Sequence, residues 1–140
     1  MGGINFGRVL IGGLVAGLIL NIGEWVLNGM VLAKDMKDFF QKCGLPEPGT
    51  HFLIIAVTIT FVLGIVLVLG YAAIRPRFGA GPKTAIIAAL IAWFGIYLYQ
   101  NLIGFGLGIV PAKPMLIALV WGLVEYILAT LAGAALYQES

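Results

Sequence analysis

The chain has 140 residues, of which 61% are apolar and only 10% are charged, and its mean hydropathy is +1.08. A water-soluble domain carries about a quarter of charged residues, so this composition excludes a soluble globular domain and places the chain in a lipid bilayer. The net charge of +2 is dispersed over the connecting segments, which excludes a basic nucleic-acid-binding surface. The single cysteine, Cys43, excludes an internal disulfide, a CxxC redox pair and a cysteine-built zinc site.

Four apolar segments are each long enough to cross a membrane. A span needs about 20 mostly apolar residues, because a helix rises about 1.5 Å per residue through roughly 30 Å of hydrocarbon. The predicted spans are residues 9–33, 51–74, 84–102 and 115–137. The first is longer than the roughly 7–15 apolar residues of a signal peptide, so it predicts a span. All six prolines lie between these segments, where they do not interrupt a helix.

The first connector carries an amphipathic pattern. Apolar residues recur at helical spacing opposite a charged face between residues 34 and 43; they are Met36, Phe39, Phe40 and Cys43. This pattern predicts a short interfacial amphipathic helix in the headgroup plane, with a solvated helix packed on the bundle as the alternative. The second connector, residues 75–83, predicts a tight basic turn. The third connector, residues 104–114, is rich in glycine and is predicted to lie at the membrane surface.

The connector charges bear on orientation, because short cytoplasmic loops carry an excess of lysine and arginine. The two sides carry equal numbers: Arg8, Arg75, Arg77 and Lys83 on one, and Lys34, Lys37, Lys42 and Lys113 on the other. The concentration of charge in the short second connector favours cytoplasmic termini. The sequence therefore predicts a multi-pass protein of a cell membrane, the bacterial inner membrane, with both termini in the cytoplasm.

Small and polar residues recur on one face of the first and last spans. Helices associate in lipid through small residues that let backbones approach and through polar side chains that bond across the interface. At about 100° per residue, the shared face of the first span holds Gly13, Gly17, Asn21, Glu24 and Asn28, and that of the last holds Ala118, Gly122, Glu125, Ala129 and Ala132. The sequence therefore predicts an all-α integral membrane protein, an antiparallel four-helix bundle. The predicted packing residues are Gly13, Gly17, Gly122 and Ala129.

Glu24 and Glu125 are the two acids inside the predicted spans. A charged side chain at the bilayer centre costs about 3 kcal/mol on insertion scales, so such acids are usually paired, uncharged or functional. The two lie at similar depths, and adjacent first and last helices would unite them in one polar centre. The residues predicted to surround this centre are Asn21, Asn28, Trp25 and Trp121. Trp121 lies one turn before Glu125, so its indole N–H is a candidate donor to that carboxylate.

No residue pattern indicates an enzyme, a metal site or a cofactor. The chain has one histidine, no Gly-x-Ser-x-Gly turn and no phosphate-binding loop. His51 is interpreted as a solvated residue at the start of the second span, with axial ligation of a tetrapyrrole as the alternative. Cys43 is interpreted as an inert interfacial thiol, with an intermolecular disulfide as the alternative.

Both ends of the chain carry a recognisable pattern. It consists of Ile4-Asn5-Phe6, Val9-Leu10 and Trp25-x-x-x-Gly29 running into Ala33-Lys34-Asp35-Met36, and of Leu123-Val124-x-x-x-Leu128-x-x-x-Ala132-Gly133-Ala134. This pattern resembles a widespread family of small four-helix bacterial membrane proteins of unknown function. The resemblance implies a fold but no role for Glu24 or Glu125, which are not part of the pattern. With small multidrug-resistance transporters the chain shares four short helices and an acid in the first, an analogy of size.

Two functions are predicted from these features. The first is a structural or accessory membrane protein whose partners are the lipid bilayer and either a second copy of the chain or a larger membrane complex. The alternative is a minimal transporter or channel for protons, cations or a small cationic substrate that uses Glu24 and Glu125. A Glu→Gln substitution discriminates between them, because a structural role tolerates an uncharged side chain that still forms hydrogen bonds.

Overall fold

The computed structural model describes residues 3–138, and this part of the chain is helical with no β-strand. The helices are α1 (Phe6–Val31), α2 (Ala33–Cys43), α3 (Thr50–Phe78), α4 (Pro82–Gly106) and α5 (Ala112–Leu136). All except α2 are long and apolar enough to cross a membrane. The prediction of an all-helical chain with four helices of membrane-spanning length is therefore confirmed, and by length and composition this is a multi-pass membrane protein.

Two of the long helices change their winding along their length. The first is α-helical over Phe6–Val26 and π-helical over Leu27–Val31. In α4, an α-helical segment over Pro82–Trp93 is followed by a π-helical one over Phe94–Leu98 and an α-helical one over Tyr99–Gly106. Sequence periodicity did not predict either change, because helical spacing was counted with one regular α-helical period.

The prediction that all six prolines lie outside the helices is wrong for three of them. Pro76 lies in the last turn of α3, Pro82 opens α4, and Pro114 lies in the first turn of α5. The first turn of a helix tolerates proline because its N–H groups have no intrahelical partner. The predicted turn at 75–83 shrinks to residues 79–81, where Gly79 and Gly81 have φ of 91° and 129°, a backbone conformation that glycine favours. The third connector likewise shrinks to residues 107–111.

Glycines allow a close backbone approach of α1 to α3. Gly13 lies against Ile65 and Gly17 lies against Phe61, so rising numbers on α1 meet falling numbers on α3 and the two helices are antiparallel. Gly64 sits between the two α1 glycines. A Cβ added at Gly64 would lie 2.3 Å from the Gly17 nitrogen and 2.5 Å from the Gly13 oxygen.

On its other side, α1 packs against α5, and α4 packs against α5 and α3. Gly12 lies against the Gly133 backbone, whereas Gly23 lies against the Glu125 side chain, so α1 and α5 are also antiparallel. The packing thus makes the first and last long helices neighbours along their length.

Large apolar side chains cover the outer surface. They include Val120, Ile91 and Ile54, which are 64%, 63% and 62% exposed. Soluble monomers rarely expose contiguous apolar surface on this scale. The exposed apolar residues occur on all four long helices, as expected for a protein surrounded by lipid.

Two tyrosines, Tyr71 and Tyr137, link several segments at one end of the helices. The Asn5 N–H donates to the Tyr137 hydroxyl at 3.1 Å, and the Gly81 N–H donates to the Tyr71 hydroxyl at 3.1 Å. The two tyrosine rings meet edge to face, 6.0 Å apart, and the Arg75 guanidinium lies 5.6 Å from the centre of the Tyr137 ring. These contacts tie the start of α1, the turn between α3 and α4, and the end of α5 together.

Candidate functional site

The site lies between α1 and α5, where two carboxyl side chains interact directly. Glu24 comes from α1 and Glu125 from α5. Glu125 is 5% exposed. Its carboxyl occupies the space beside Gly23, where an added Cβ would lie 2.8 Å from the Glu125 Cδ atom. A glycine next to Glu24 therefore makes room for the second acid.

Tyr97 of α4 is the third member of the site. Its hydroxyl oxygen lies 2.7 Å from both carboxyl oxygens of Glu24. A tyrosine hydroxyl has one hydrogen to donate and can also accept. Two full hydrogen bonds at this distance therefore require that one comes from Tyr97 and the other from a proton on Glu24. With an ionised Glu24, the single hydrogen is shared between the two oxygens.

Glu125 has no comparable partner. Both of its carboxyl oxygens are buried, and within residues 3–138 neither meets a donor in full hydrogen-bond geometry, although the Glu24 carboxyl and the Trp121 indole both interact with the group. A buried polar group that lacks a hydrogen bond costs about 1–3 kcal/mol, and an ionised one costs more. The neighbouring Glu24 carboxyl supplies a donor only when it is protonated.

Aromatic side chains surround the two acids. The rings of Tyr97 and Tyr126 meet edge to face at 5.3 Å, and Tyr126 is 1% exposed. The indole N–H of Trp121 donates to the Gly23 carbonyl at 3.0 Å, and that of Trp93 donates to the Leu119 carbonyl at 2.9 Å. Of these rings, Tyr97, Tyr126 and Trp121 lie near the carboxyl pair, on the side of α4 and α5.

The π-helical segments adjoin the site. One follows Glu24 within a turn, and the other contains Tyr97. At each place an asparagine four residues later covers a backbone carbonyl: Asn28 donates to the Glu24 carbonyl at 3.1 Å, and Asn101 donates to the Tyr97 carbonyl at 2.8 Å. Single π-helical turns occur frequently at functional sites. Glu24 and Tyr97 thus share the same local arrangement, a π-helical turn nearby and an asparagine that bonds their backbone carbonyl.

Three residues predicted to surround the acids lie elsewhere. Trp25 is 65% exposed, because it is rotated by about 100° from Glu24 on the same helix. Asn28 is exposed, and its amide donates to the Glu24 backbone carbonyl, so it is not available to the Glu24 carboxyl. Asn21 faces α3, where its amide donates to the Gly17 carbonyl at 2.9 Å and to the Val57 carbonyl at 3.5 Å.

Trp121 does lie at the predicted place, and it has two partners. The indole N–H donates to the Gly23 carbonyl at 3.0 Å, and the indole also interacts with the Glu125 carboxyl, as predicted. Trp121 therefore links α5 to the α1 backbone beside the acids.

The predicted packing residues meet different neighbours. Gly13 and Gly17 contact α3, and Gly122 contacts the ring of Tyr97, where an added Cβ would lie 2.7 Å from the ring atom Cδ1. Ala129 is fully buried. His51, in the first turn of α3, and Cys43, at the end of α2, are both exposed.

Tyr97 is the site residue that the sequence analysis missed. The alanine-rich face of α4, which includes Ala85 and Ala89, is buried, but at about 100° per residue Tyr97 lies about 80° from Ala89 around the helix. The small-residue stripe therefore does not by itself indicate that Tyr97 points inward.

Among residues 3–138, no group of three or more His, Cys, Asp or Glu side chains is arranged to hold a metal ion. Comparisons of the chain with protein-family models, with curated proteins and with solved structures find no match.

Proposed function

We propose that the chain is a minimal membrane transporter or channel in which the Glu24–Glu125 pair binds a proton or a monovalent cation. The observation that carries the proposal is the direct interaction of the Glu24 carboxyl with the buried Glu125 carboxyl. Two adjacent carboxylates repel each other strongly in apolar surroundings. A proton or a cation between them removes one charge and supplies the missing interaction, so the pair is suited to bind and release one positive charge.

Tyr97 extends this site towards a second helix. Its hydroxyl contacts both oxygens of Glu24, so it can donate to the ionised acid and accept from the protonated acid. A proton that moves between Glu24 and Glu125 would then leave Glu24 with a partner in either state. We infer that Tyr97 positions Glu24 for this exchange, on a helix that makes few other contacts with α1.

The second candidate is a structural or accessory protein of a larger membrane complex or homo-oligomer. It is favoured by the bond between Tyr97 and Glu24, which joins α1 to α4 across the structure. In that function the acids fix the arrangement of an antiparallel four-helix bundle and carry no ion. Both candidates place the protein in a membrane. They differ in the expected effect of replacing Glu24 or Glu125 with an uncharged glutamine.

The test is ion flux in liposomes that contain the purified protein. A potassium diffusion potential is imposed, and an internal pH-sensitive dye reports proton entry; a parallel set with a sodium gradient and a sodium-sensitive dye tests the cation. We expect flux with wild-type protein, and loss of that flux in Glu24→Gln and in Glu125→Gln. Wild-type liposomes that behave like empty ones for both ions would refute the proposal and leave the structural candidate.

The matched control is Glu47→Gln. Glu47 lies in the connector between α2 and α3 and is exposed, so this substitution makes the same chemical change outside the site. This variant should keep wild-type flux. Circular dichroism and size-exclusion chromatography of each variant show whether lost flux reflects lost structure. Wild-type flux in all three variants would show that ions cross the protein without the carboxyl pair and would refute the proposed role of Glu24 and Glu125.

We further propose that both termini lie in the cytoplasm of a bacterium, with α2 at the opposite face of the inner membrane. Cys43, the single cysteine, is exposed at the end of α2 and reports this orientation without background from other thiols. A membrane-impermeant maleimide should label it in intact cells. Labelling that requires disruption of the membrane would reverse the orientation.

A further inference from the structure

One end of the four long helices gathers basic side chains. Here α1 and α4 begin and α3 and α5 end, and the cations of this end, which we call the basic end, are Arg8, Arg75, Arg77 and Lys83. The acids of residues 3–138 lie elsewhere, in the carboxyl pair, in α2 and in the connector after α2. Even with Glu139, which follows the described residues in the sequence, the cations outnumber the acids of this end four to one.

Two tyrosines hold together the segments that carry these cations. The Asn5 N–H donates to the Tyr137 hydroxyl, and the Arg75 guanidinium lies 5.6 Å from the centre of the Tyr137 ring. The Gly81 N–H donates to the hydroxyl of Tyr71, whose ring meets that of Tyr137. The start of α1, the last turn of α3 and the start of α4 therefore present their cations at one place.

The basic end is open to a ligand from outside the protein. Arg8, Arg77 and Lys83 are exposed, and every acid of residues 3–138 lies elsewhere, so within this part of the chain no carboxylate neutralises the three. Exposed cations of one sign attract an external anion. Guanidinium groups bind the oxygens of a phosphate through paired N–H donors, and a lysine adds a point charge.

The depth of the basic end in the membrane indicates which anion it meets. The 29 residues of α3 extend over about 43 Å, whereas the hydrocarbon layer is about 30 Å thick. The last turn of α3, which holds Arg75 and Arg77, therefore reaches the layer of lipid phosphates. Phe6 and Phe78, each within two residues of a cation, are exposed large apolar side chains. A phospholipid contacts both kinds of side chain, whereas free phosphate contacts only the cations.

We infer that the basic end binds an anionic phospholipid, with the lipid phosphate at Arg8, Arg77 and Lys83 and an acyl chain along the exposed phenylalanines. Basic pockets between membrane helices recognise acidic headgroups in this way. A zwitterionic lipid carries its own cation next to the phosphate and gains less from the cluster. The inference does not depend on the proposed ion transport, because no member of the carboxyl pair takes part.

The experiment is native mass spectrometry of the full chain in a neutral maltoside detergent. Phosphatidylglycerol and phosphatidylcholine with the same acyl chains are titrated separately, and the bound mass gives the occupancy. We expect phosphatidylglycerol to bind at least about tenfold more tightly than phosphatidylcholine. Ammonium phosphate that replaces ammonium acetate at equal ionic strength should not displace the lipid.

Two triple variants locate the binding site. The combination of Arg8→Gln, Arg77→Gln and Lys83→Gln should weaken phosphatidylglycerol binding about a hundredfold, since each cation near an anionic headgroup contributes about fivefold. Arg77→Gln alone should weaken it about fivefold, which tests the inference if the triple variant loses its helical circular dichroism.

The matched control removes three charges at the opposite end. Lys34→Gln, Lys37→Gln and Lys42→Gln, all at exposed positions of α2, give the same net charge as the first triple variant and should bind as wild type does.

Four results would overturn the inference. Equal weakening in the two triple variants would show that only net charge matters. Equal binding of phosphatidylcholine would show that the headgroup charge is not recognised. Displacement of the lipid by ammonium phosphate at equal ionic strength would assign the basic end to a soluble anion. An absence of bound phosphatidylglycerol in the wild type would leave the cations as solvated residues. Ion flux in liposomes tests only the proposed function, so the two can fail separately.

Discussion

Gly64 is the position at which the packing of α1 on α3 is most sensitive to one added methyl group. In Gly64→Ala the new Cβ would lie 2.3, 2.5 and 2.6 Å from the Gly17 N, Gly13 O and Gly17 Cα atoms. All three are backbone atoms, and ordinary contact begins near 3.4 Å. The two helices must therefore separate by about 1 Å, a gap that forfeits a quarter to a half of each contact energy along the interface. We expect a loss of about 1–3 kcal/mol in the free energy of unfolding.

Gly70→Ala is the matched control because it makes the same change in the same helix. An added Cβ at Gly70 meets nothing within 4 Å. Both variants gain the same helix propensity, up to about 1 kcal/mol, so the difference between them isolates the packing contact. The assay is the midpoint of unfolding in mixed micelles of a mild detergent and dodecyl sulfate, followed by circular dichroism. Equal midpoints for the two variants would refute the close approach of α1 and α3.

Two further predictions concern hydrogen bonds at the site, and the same unfolding assay measures both. Tyr97→Phe leaves Glu24 without the hydroxyl at 2.7 Å and should lower stability by about 1–3 kcal/mol, whereas Tyr99→Phe, at a residue that is 57% exposed, should change it by less than about 0.5 kcal/mol. Trp121→Phe removes the bond to the Gly23 carbonyl and should cost about 1 kcal/mol, whereas Trp25→Phe, at a residue that is 65% exposed, should be near neutral. Equal effects within either pair would contradict the corresponding bond.

The fold was largely predictable because hydropathy is a property of segment length and composition. Four apolar segments of membrane-spanning length require little knowledge of neighbours, since each helix satisfies its own backbone in lipid. The ends were less predictable. The first turn of a helix tolerates proline, as at Pro82, but α3 also continues through Pro76 in its last turn and α4 through Gly106, both beyond the predicted boundaries.

The site was predictable only in part, since it depends on which helices are neighbours. An angular position on a helix indicates that Glu24 faces protein, but not whether it meets α3, α4 or α5. Asn21, on the same predicted face, contacts α3 instead of the acids. Asn28 lies near Glu24 on the helix, but its amide bonds the Glu24 backbone carbonyl, a choice of partner that residue spacing does not reveal. Tyr97 comes from α4, whose π-helical segment leaves no evident mark in residue spacing.

The glycines of this chain have two distinct uses, and the second connects packing to the proposed ion site. Gly64 allows two backbones to approach, which is the usual function of small residues between membrane helices. Gly23 and Gly122 instead receive side chains: the Glu125 carboxyl lies beside Gly23, and the Tyr97 ring lies against Gly122. A side chain at either position would displace a group of the site. Small residues on α1 and α5 therefore fix where the acid and the phenol lie, and the carboxyl pair depends on them as much as on its own members.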